Sequence, residues 1–102
     1  MAYPYRIHEL AHDEYMDAYD WYEFRQKGLG DRFMLETDKV VKRIIEYPTH
    51  YARKRGNYRS AKVKGFPYAV LFQFFERKKS IDIVAIYHSK RNPIKKFRII
   101  KG

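Results

Sequence analysis

Cations and aromatic rings occur together in the second half of the chain, and this combination suits contact with a nucleic-acid strand. Tyr58, Lys62 and Lys64 share one face of a predicted strand, and Arg59 lies beside them. Ammonium and guanidinium groups neutralise phosphates, and aromatic rings stack on exposed bases. The alternative interpretation is a solvated sheet face on which the lysines extend along the surface.

A second group, Tyr87, His88, Lys90 and Arg91, follows at the end of a later predicted strand. Metal-free RNA cleavage needs a base for the 2′-hydroxyl, an acid for the leaving oxygen, and cations to stabilise the phosphorane. The two groups together contain residues that could act as the base, the acid and the cations. The candidate nuclease residues are therefore Arg59, Lys62, Lys64, Tyr87, His88 and Arg91.

Histidine is the usual acid or base at neutral pH, and the chain has four. None pairs with another at i, i+4 within one predicted helix, so the pattern predicts no metal site. His88 alone lies in the basic C-terminal region. It is either an acid–base group or a residue that caps a strand end through a backbone hydrogen bond.

Trp21 and Phe24 lie three residues apart, outside the main apolar stripe of the first predicted helix. A second apolar stripe on a surface helix implies a cover, either the protein's own core or a partner. The acidic residues of this helix favour a solvated face over carboxylate chemistry. They are Asp13, Glu14, Asp17, Asp20 and Glu23.

Charge is strongly segregated along the 102 residues. Residues 1–50 hold seven Lys and Arg against ten Asp and Glu, a net charge of −3; residues 51–102 hold fifteen against two, a net charge of +13. This asymmetry predicts a polyanionic or acidic partner for the second half. The absence of cysteine excludes a disulfide framework, thiol catalysis and cysteine-ligated zinc. With no apolar span or leader pattern, the sequence predicts a cytoplasmic protein without membrane contact.

The elements that must position these residues follow from periodicity, and they form one domain over residues 1–102. Tyr3–His8 alternates as a strand, and helices are predicted over His12–Lys27 and from Asp31 to Pro48, joined as an antiparallel hairpin by residues 28–30. Three antiparallel strands follow, at Tyr58–Lys64, Tyr68–Phe75 and Ile81–His88. Residues 89–102 are available as an extra strand or short helix. The predicted class is a small α+β domain: an N-terminal strand, a helical hairpin and a three-stranded antiparallel sheet.

Several segments in this order resemble the RelE/ParE superfamily of type II toxin–antitoxin toxins. A strand beginning Tyr58-Arg59 is followed by Phe66-Pro67-Tyr68, and the last strand closes on His88-x-x-Arg91-Asn92-Pro93. Upstream, Trp21-Tyr22-Glu23 and the run from Gly28 to Phe33 resemble the helical hairpin of that superfamily. The resemblance extends over about residues 4–97, and it implies the architecture already predicted.

The resemblance implies a plasmid-stabilization toxin that a cognate acidic antitoxin neutralises. RelE-like members cut messenger RNA on the ribosome, whereas ParE-like members poison DNA gyrase. RelE-like nucleases tend to carry a lysine, an arginine and a tyrosine where this chain has Ala61, Ala69 and Phe97. The ParE-like pattern therefore fits better. A RelE-like endoribonuclease and a non-toxic nucleic-acid-binding module remain the alternatives.

These considerations assign two sets of binding residues and no cofactor. Trp21 and Phe24 are predicted to bind the antitoxin, because an acidic peptide can lay a helix on exposed apolar surface or add a strand to a sheet edge. The gyrase or ribosome target is predicted to contact Lys62, Lys64, Lys90, Arg91, Lys95, Lys96 and Arg98. A homodimer is also compatible with the pattern.

Overall fold

A computed structural model describes residues 2–90. The predictions that concern Arg91, Lys95, Lys96, Phe97 and Arg98 lie outside these residues. The chain runs through β1 (Tyr5–Ile7), α1 (Glu9–Arg25), α2 (Leu29–Glu46), a 3-10 turn (Pro48–His50), β2 (Arg53–Arg55), β3 (Tyr58–Lys62), β4 (Tyr68–Phe75) and β5 (Ser80–His88). The predicted α+β class is confirmed. None of the helices in this part of the chain is long and apolar enough to cross a membrane.

The strands form one five-stranded sheet in the order β1-β5-β4-β3-β2. The prediction of a three-stranded antiparallel sheet is therefore wrong in its strand count. β1 joins the sheet in parallel with β5, and Arg53–Arg55, for which the sequence predicts no strand, forms β2, antiparallel to β3. Three consecutive cations carry no hydrophobic alternation, so β2 arises from the tight turn after it, where Gly56 has a φ of +57°.

The two helices pack as an antiparallel hairpin on one face of the sheet, as the sequence predicts. α1 contacts β5, whereas α2 contacts β3 and β4. The buried side chains between the layers include Phe33 and Ile44 of α2, Phe72 of β4, and Ile81 and Ile83 of β5. This core fixes α1 over one edge of the sheet and α2 over the other.

The helix boundaries differ from the prediction at both N-termini. α1 begins at Glu9 rather than near His12, and α2 begins at Leu29 rather than after a cap at Asp31. Gly28 takes a left-handed conformation with a φ of +90°, and the Glu23 carboxylate accepts hydrogen bonds from the backbone N–H groups of Gly28 and Gly30, both at 2.9 Å. A side chain of α1 thus caps α2 and closes the hairpin.

The outer face of the sheet, opposite the helices, also carries buried residues. Tyr58, Leu71, Val84 and Ala85 form a second apolar cluster there, with Tyr87 packed against it. Tyr58 is 8% exposed, so it does not offer the open ring that the strand alternation predicts. Its burial raises the pKa of its hydroxyl.

Candidate interaction surfaces

A basic groove of about 410 Å³ lies between α2 and β3, and we call it the α2–β3 groove. β2 pairs only with Tyr58 and Arg59, so within residues 2–90 no strand lies beside the later part of β3 on this edge. Lys62 and Lys64 lie at this edge, and both line the groove. The lining consists of Glu36, Lys39, Val40, Arg43, Tyr51, Lys62 and Lys64.

The α2–β3 groove has a strong excess of positive charge. Its single carboxylate, on Glu36, is 3.5 Å from the ammonium group of Lys39. The other three cations, Arg43, Lys62 and Lys64, have no side-chain hydrogen bond or ion pair within residues 2–90. Sequence reasoning found Lys62 and Lys64 but missed Lys39 and Arg43. Their spacing with Glu36, at i+3 and i+7, was the signal, because it places all three on one face of a helix.

Tyr51 is the aromatic residue of the groove lining, and its backbone is held by the buried side chain of Arg59. The Arg59 guanidinium donates a hydrogen bond of 2.6 Å to the Tyr51 carbonyl and lies 3.7 Å from the Glu76 carboxylate. The Tyr51 ring packs edge-on against Phe72, with ring centroids 5.8 Å apart. Arg59 is itself only 7% exposed, so this nuclease candidate lies beneath the surface.

The edge strand β2 extends the positive surface beside the groove. Arg53, Lys54 and Arg55 are all exposed, and Arg53 pairs with Glu76 at 3.1 Å. Charged side chains on an edge strand discourage pairing with another chain, so part of this charge protects the sheet edge.

The strand register shows which candidate residues share the outer face. Lys62 pairs with Ala69, and Ala69 pairs with Tyr87, so these three residues form a row across three strands. Lys62 and Tyr87 are therefore about 10 Å apart across that row. The Tyr87 hydroxyl shares a hydrogen bond of 3.2 Å with Ser60. Ala69 offers only a methyl group at the centre and is 3% exposed.

His88 lies on the helix side of the sheet, away from this row. Its ring packs edge-on against Tyr68 at 5.4 Å, and its Nδ1 accepts a hydrogen bond from the backbone N–H of Lys90 at 3.2 Å. Lys90 itself is exposed in the turn that follows. The geometry matches the backbone-capping interpretation of His88 more closely than the acid–base one.

A second groove, of about 480 Å³, lies between α1 and the end of β5, and we call it the α1–β5 groove. β1 ends where the backbone N–H of His8 bonds to the carbonyl of Ile83, so none of the described strands lies beside β5 on that side beyond this point. Instead, the Glu14 carboxylate accepts a hydrogen bond of 3.0 Å from the Ile86 N–H. The lining is rich in aromatic side chains, including Trp21, Tyr22, Tyr68, Tyr87 and His88.

Trp21 and Phe24 are exposed on α1 beside the α1–β5 groove. Trp21 is 54% exposed and Phe24 is 92% exposed, so the core does not cover them. The Arg25 guanidinium lies 4.7 Å from the centre of the Trp21 ring. Two large exposed apolar side chains on one helix are typical of an interaction surface.

A third cavity, of about 360 Å³, lies between β1 and the two helices. Its lining is mainly apolar and includes Tyr5, Ile7 and the buried Thr37. Close by, the Tyr15 hydroxyl donates a hydrogen bond of 3.2 Å to Asp38. No group of three His, Asp or Glu side chains suited to a metal ion occurs in the described part of the chain.

Comparison with known proteins shows which family the chain resembles. The family model described as "ParE toxin of type II toxin-antitoxin system, parDE" matches residues 5–93. Toxin ParE2 of Mycobacterium tuberculosis, from strains CDC 1551 / Oshkosh and ATCC 25618 / H37Rv, is 30% identical over 89 residues, which covers 86% of this chain and 83% of the relative.

Two solved structures share the fold. A chain of the chromosomal ParDE system from P. aeruginosa superposes with a TM-score of 0.75 at 15% identity, covering 87% of this chain and 98% of that one. The isolated E. coli RelE toxin superposes with a TM-score of 0.56 at 17% identity, covering 98% of each chain.

Proposed function

The chain belongs to the ParE toxin family of type II toxin–antitoxin systems, and from that premise we propose that it inhibits DNA gyrase and that a cognate acidic antitoxin neutralises it. The observation that carries the choice of target is the row formed by Lys62, Ala69 and Tyr87. This row lies where strand-borne catalytic groups of a RelE-like nuclease would be expected from the resemblance. Its central residue is Ala69, where RelE-like nucleases tend to carry an arginine, so the row lacks a cation at its centre.

The nuclease candidates are dispersed rather than convergent. Arg59 is buried beneath Tyr51 and pairs with Glu76, so it does not present its charge to a substrate. His88 is on the opposite face of the sheet from Tyr87. Metal-free cleavage needs an acid, a base and phosphate-stabilising cations within hydrogen-bond reach of one phosphodiester. The described residues do not supply that set in one place.

Two surfaces support action by binding. The α2–β3 groove supplies unpaired cations, which suit the predicted contact of Lys62 and Lys64 with the target. On the other side, Trp21 and Phe24 offer apolar surface to an antitoxin helix. An acidic disordered segment needs such anchors, because burial of apolar surface offsets the entropy lost on ordering. The proposal includes the cytoplasmic location that the sequence predicts.

A direct assay of both targets tests the proposal. The purified chain is added to gyrase with relaxed plasmid DNA, and separately to translating ribosomes with a defined message. We expect loss of supercoiling or accumulation of gyrase-linked DNA breaks, reversed by the antitoxin, with the message intact. Cuts in the translated message with gyrase unaffected would instead establish the RelE-like alternative. If the chain affects neither gyrase nor the message, the proposal is overturned and the binding-module alternative remains.

A further inference from the structure

The α2–β3 groove carries charge that the rest of the described structure does not balance. Several cations elsewhere are engaged: Arg6 pairs with Asp82 at 3.2 Å, Arg53 pairs with Glu76, and Arg25 lies over Trp21. The three unpaired cations Arg43, Lys62 and Lys64 instead converge on one concavity. Their mutual repulsion would be relieved by a bound anion.

The groove is also built on fixed supports. Lys39 and Arg43 project from α2, which is anchored by buried Phe33 and Ile44. The Tyr51 backbone is held by Arg59. Burial raises the pKa of the Tyr51 hydroxyl, although the nearby Arg43 lowers it in part, so the phenol keeps its proton and can donate a hydrogen bond. Supports of this kind hold the cations in place before any ligand arrives.

The chemistry of the lining favours phosphate over an acidic peptide. Three of its four cations are lysines, which bind phosphate groups as point charges. Val40 is the only aliphatic side chain in the lining, so a disordered peptide would bury little apolar surface there. The apolar surface lies around Trp21 and Phe24 of α1 instead.

The groove also continues into further cations along the sheet edge. Lys62 and Lys64 are two residues apart, and the exposed cations of β2 extend the positive surface beyond them. A line of positive charge suits a regularly charged backbone better than it suits a single small anion.

We propose that the α2–β3 groove binds the phosphate backbone of double-stranded DNA through Lys39, Arg43, Lys62 and Lys64. The affinity is independent of base sequence, because these contacts reach phosphates rather than base edges. In a gyrase inhibitor the groove then contacts the DNA that the enzyme carries; this last step rests on the proposed function, whereas DNA binding by the free chain does not.

The test measures binding of the purified chain to a short fluorescent DNA duplex by anisotropy over a range of salt concentrations. Lys62→Ala/Lys64→Ala is compared with Lys27→Ala/Arg77→Ala, which removes the same charge from two exposed turn residues outside the groove. We expect the groove variant to reduce the slope of log K against log salt by about 1.8, since each lost phosphate contact removes about 0.9. The control should change the slope far less. Lys62→Arg/Lys64→Arg should restore binding.

Three results would overturn the inference. One is equal weakening by the groove variant and its control, which would mean that net charge alone drives binding. Another is no binding of DNA by the wild-type chain. The third is tighter binding of a glutamate-rich peptide than of the duplex through the same lysines, which would make this a peptide site. Circular dichroism of each variant confirms that it is folded. The supercoiling assay is scored separately, so failure of gyrase inhibition is distinguishable from failure of DNA binding.

Discussion

Arg59 shows how a charged residue can be structural in this protein. Its guanidinium donates to the Tyr51 carbonyl, lies near Glu76, and has the Phe74 ring at 6.0 Å. Its Nε has no partner in the described structure. A buried guanidinium that is partly satisfied stabilises the local fold only while its remaining contacts hold.

We therefore expect Arg59→Ala to lower the free energy of unfolding by about 2–3 kcal/mol, through loss of charged hydrogen bonds and of packing. Urea unfolding followed by circular dichroism measures the change. Glu76→Gln is the control and should cost less than about 1 kcal/mol, because Glu76 is 56% exposed and its ion pairs are screened by water. Unchanged stability of Arg59→Ala would contradict the structural role.

Buried tyrosines predict a loss of stability at alkaline pH. Burial is the largest cause that raises the hydroxyl pKa of Tyr15, Tyr22, Tyr51 and Tyr58, and Asp38 adds to it at Tyr15. The unfolded chain releases these protons near the ordinary value of 10.0, whereas the folded chain retains them. Stability should therefore be level below that pH and fall above it. In urea titrations at several pH values, Tyr15→Phe should show a shallower fall; an identical fall would contradict the assignment.

At this scale the sequence predicted some positions and missed others for a definite reason. Strand alternation places Arg59 on the same face as Ala61, and both residues are buried in the structure. The sequence analysis predicted a contact residue at Arg59 because of its positive charge, so the burial of Arg59 was missed. The burial of Tyr58 followed from no local pattern, because it depends on residues of β4 and β5 that are distant in sequence.

The helical hairpin depends on a close approach at one glycine. A Cβ atom added at Gly30 would lie 2.7 Å from the Tyr19 carbonyl oxygen and 2.8 Å from a Glu23 carboxylate oxygen. The same carboxylate caps α2. Contact between the two helices at this point therefore excludes any larger side chain.

We expect Gly30→Ala to lower the free energy of unfolding by about 1–3 kcal/mol, because overpacking outweighs the better helix propensity of alanine. Thermal unfolding measures this. Gly56→Ala is the comparison: its added Cβ meets nothing within 4 Å, so it costs only the strain of a φ of +57°, about 1 kcal/mol. A stabilised Gly30→Ala variant would show that the helices separate at no cost.

Among the elements, the hairpin was predictable and the sheet order was not. The apolar stripes and the short link of residues 28–30 predict two antiparallel helices, which the structure confirms. The position of β1 beside β5 depends on pairing between distant segments, whereas β2 depends on the tight turn that joins it to β3. Periodicity within a segment contains no information about such pairing.

For the whole molecule, the sheet order converts a charge asymmetry along the chain into one across the surface. α1, which carries six carboxylates, lies over β5, whereas the cations of β2 and the α2–β3 groove lie at the opposite edge. Under the proposed function, the basic edge attracts an acidic antitoxin, and we expect Trp21 and Phe24 on α1 to supply the apolar contacts. Long-range attraction and short-range packing then act at different places, and kinetics can separate them.

We expect salt and the apolar anchors to affect different rate constants for antitoxin binding. Raising the salt concentration should lower the association rate by about tenfold or more and change dissociation little, because screening weakens steering. Trp21→Ala/Phe24→Ala should instead speed dissociation by about tenfold or more, because it removes buried contacts. Surface plasmon resonance with immobilised antitoxin measures both. Leu35→Ala is the matched control, since Leu35 is 55% exposed but lies on α2. An unchanged dissociation rate of the double variant would exclude Trp21 and Phe24 as the docking surface. The salt series tests the electrostatic attraction separately, and an association rate that does not change with salt would contradict it.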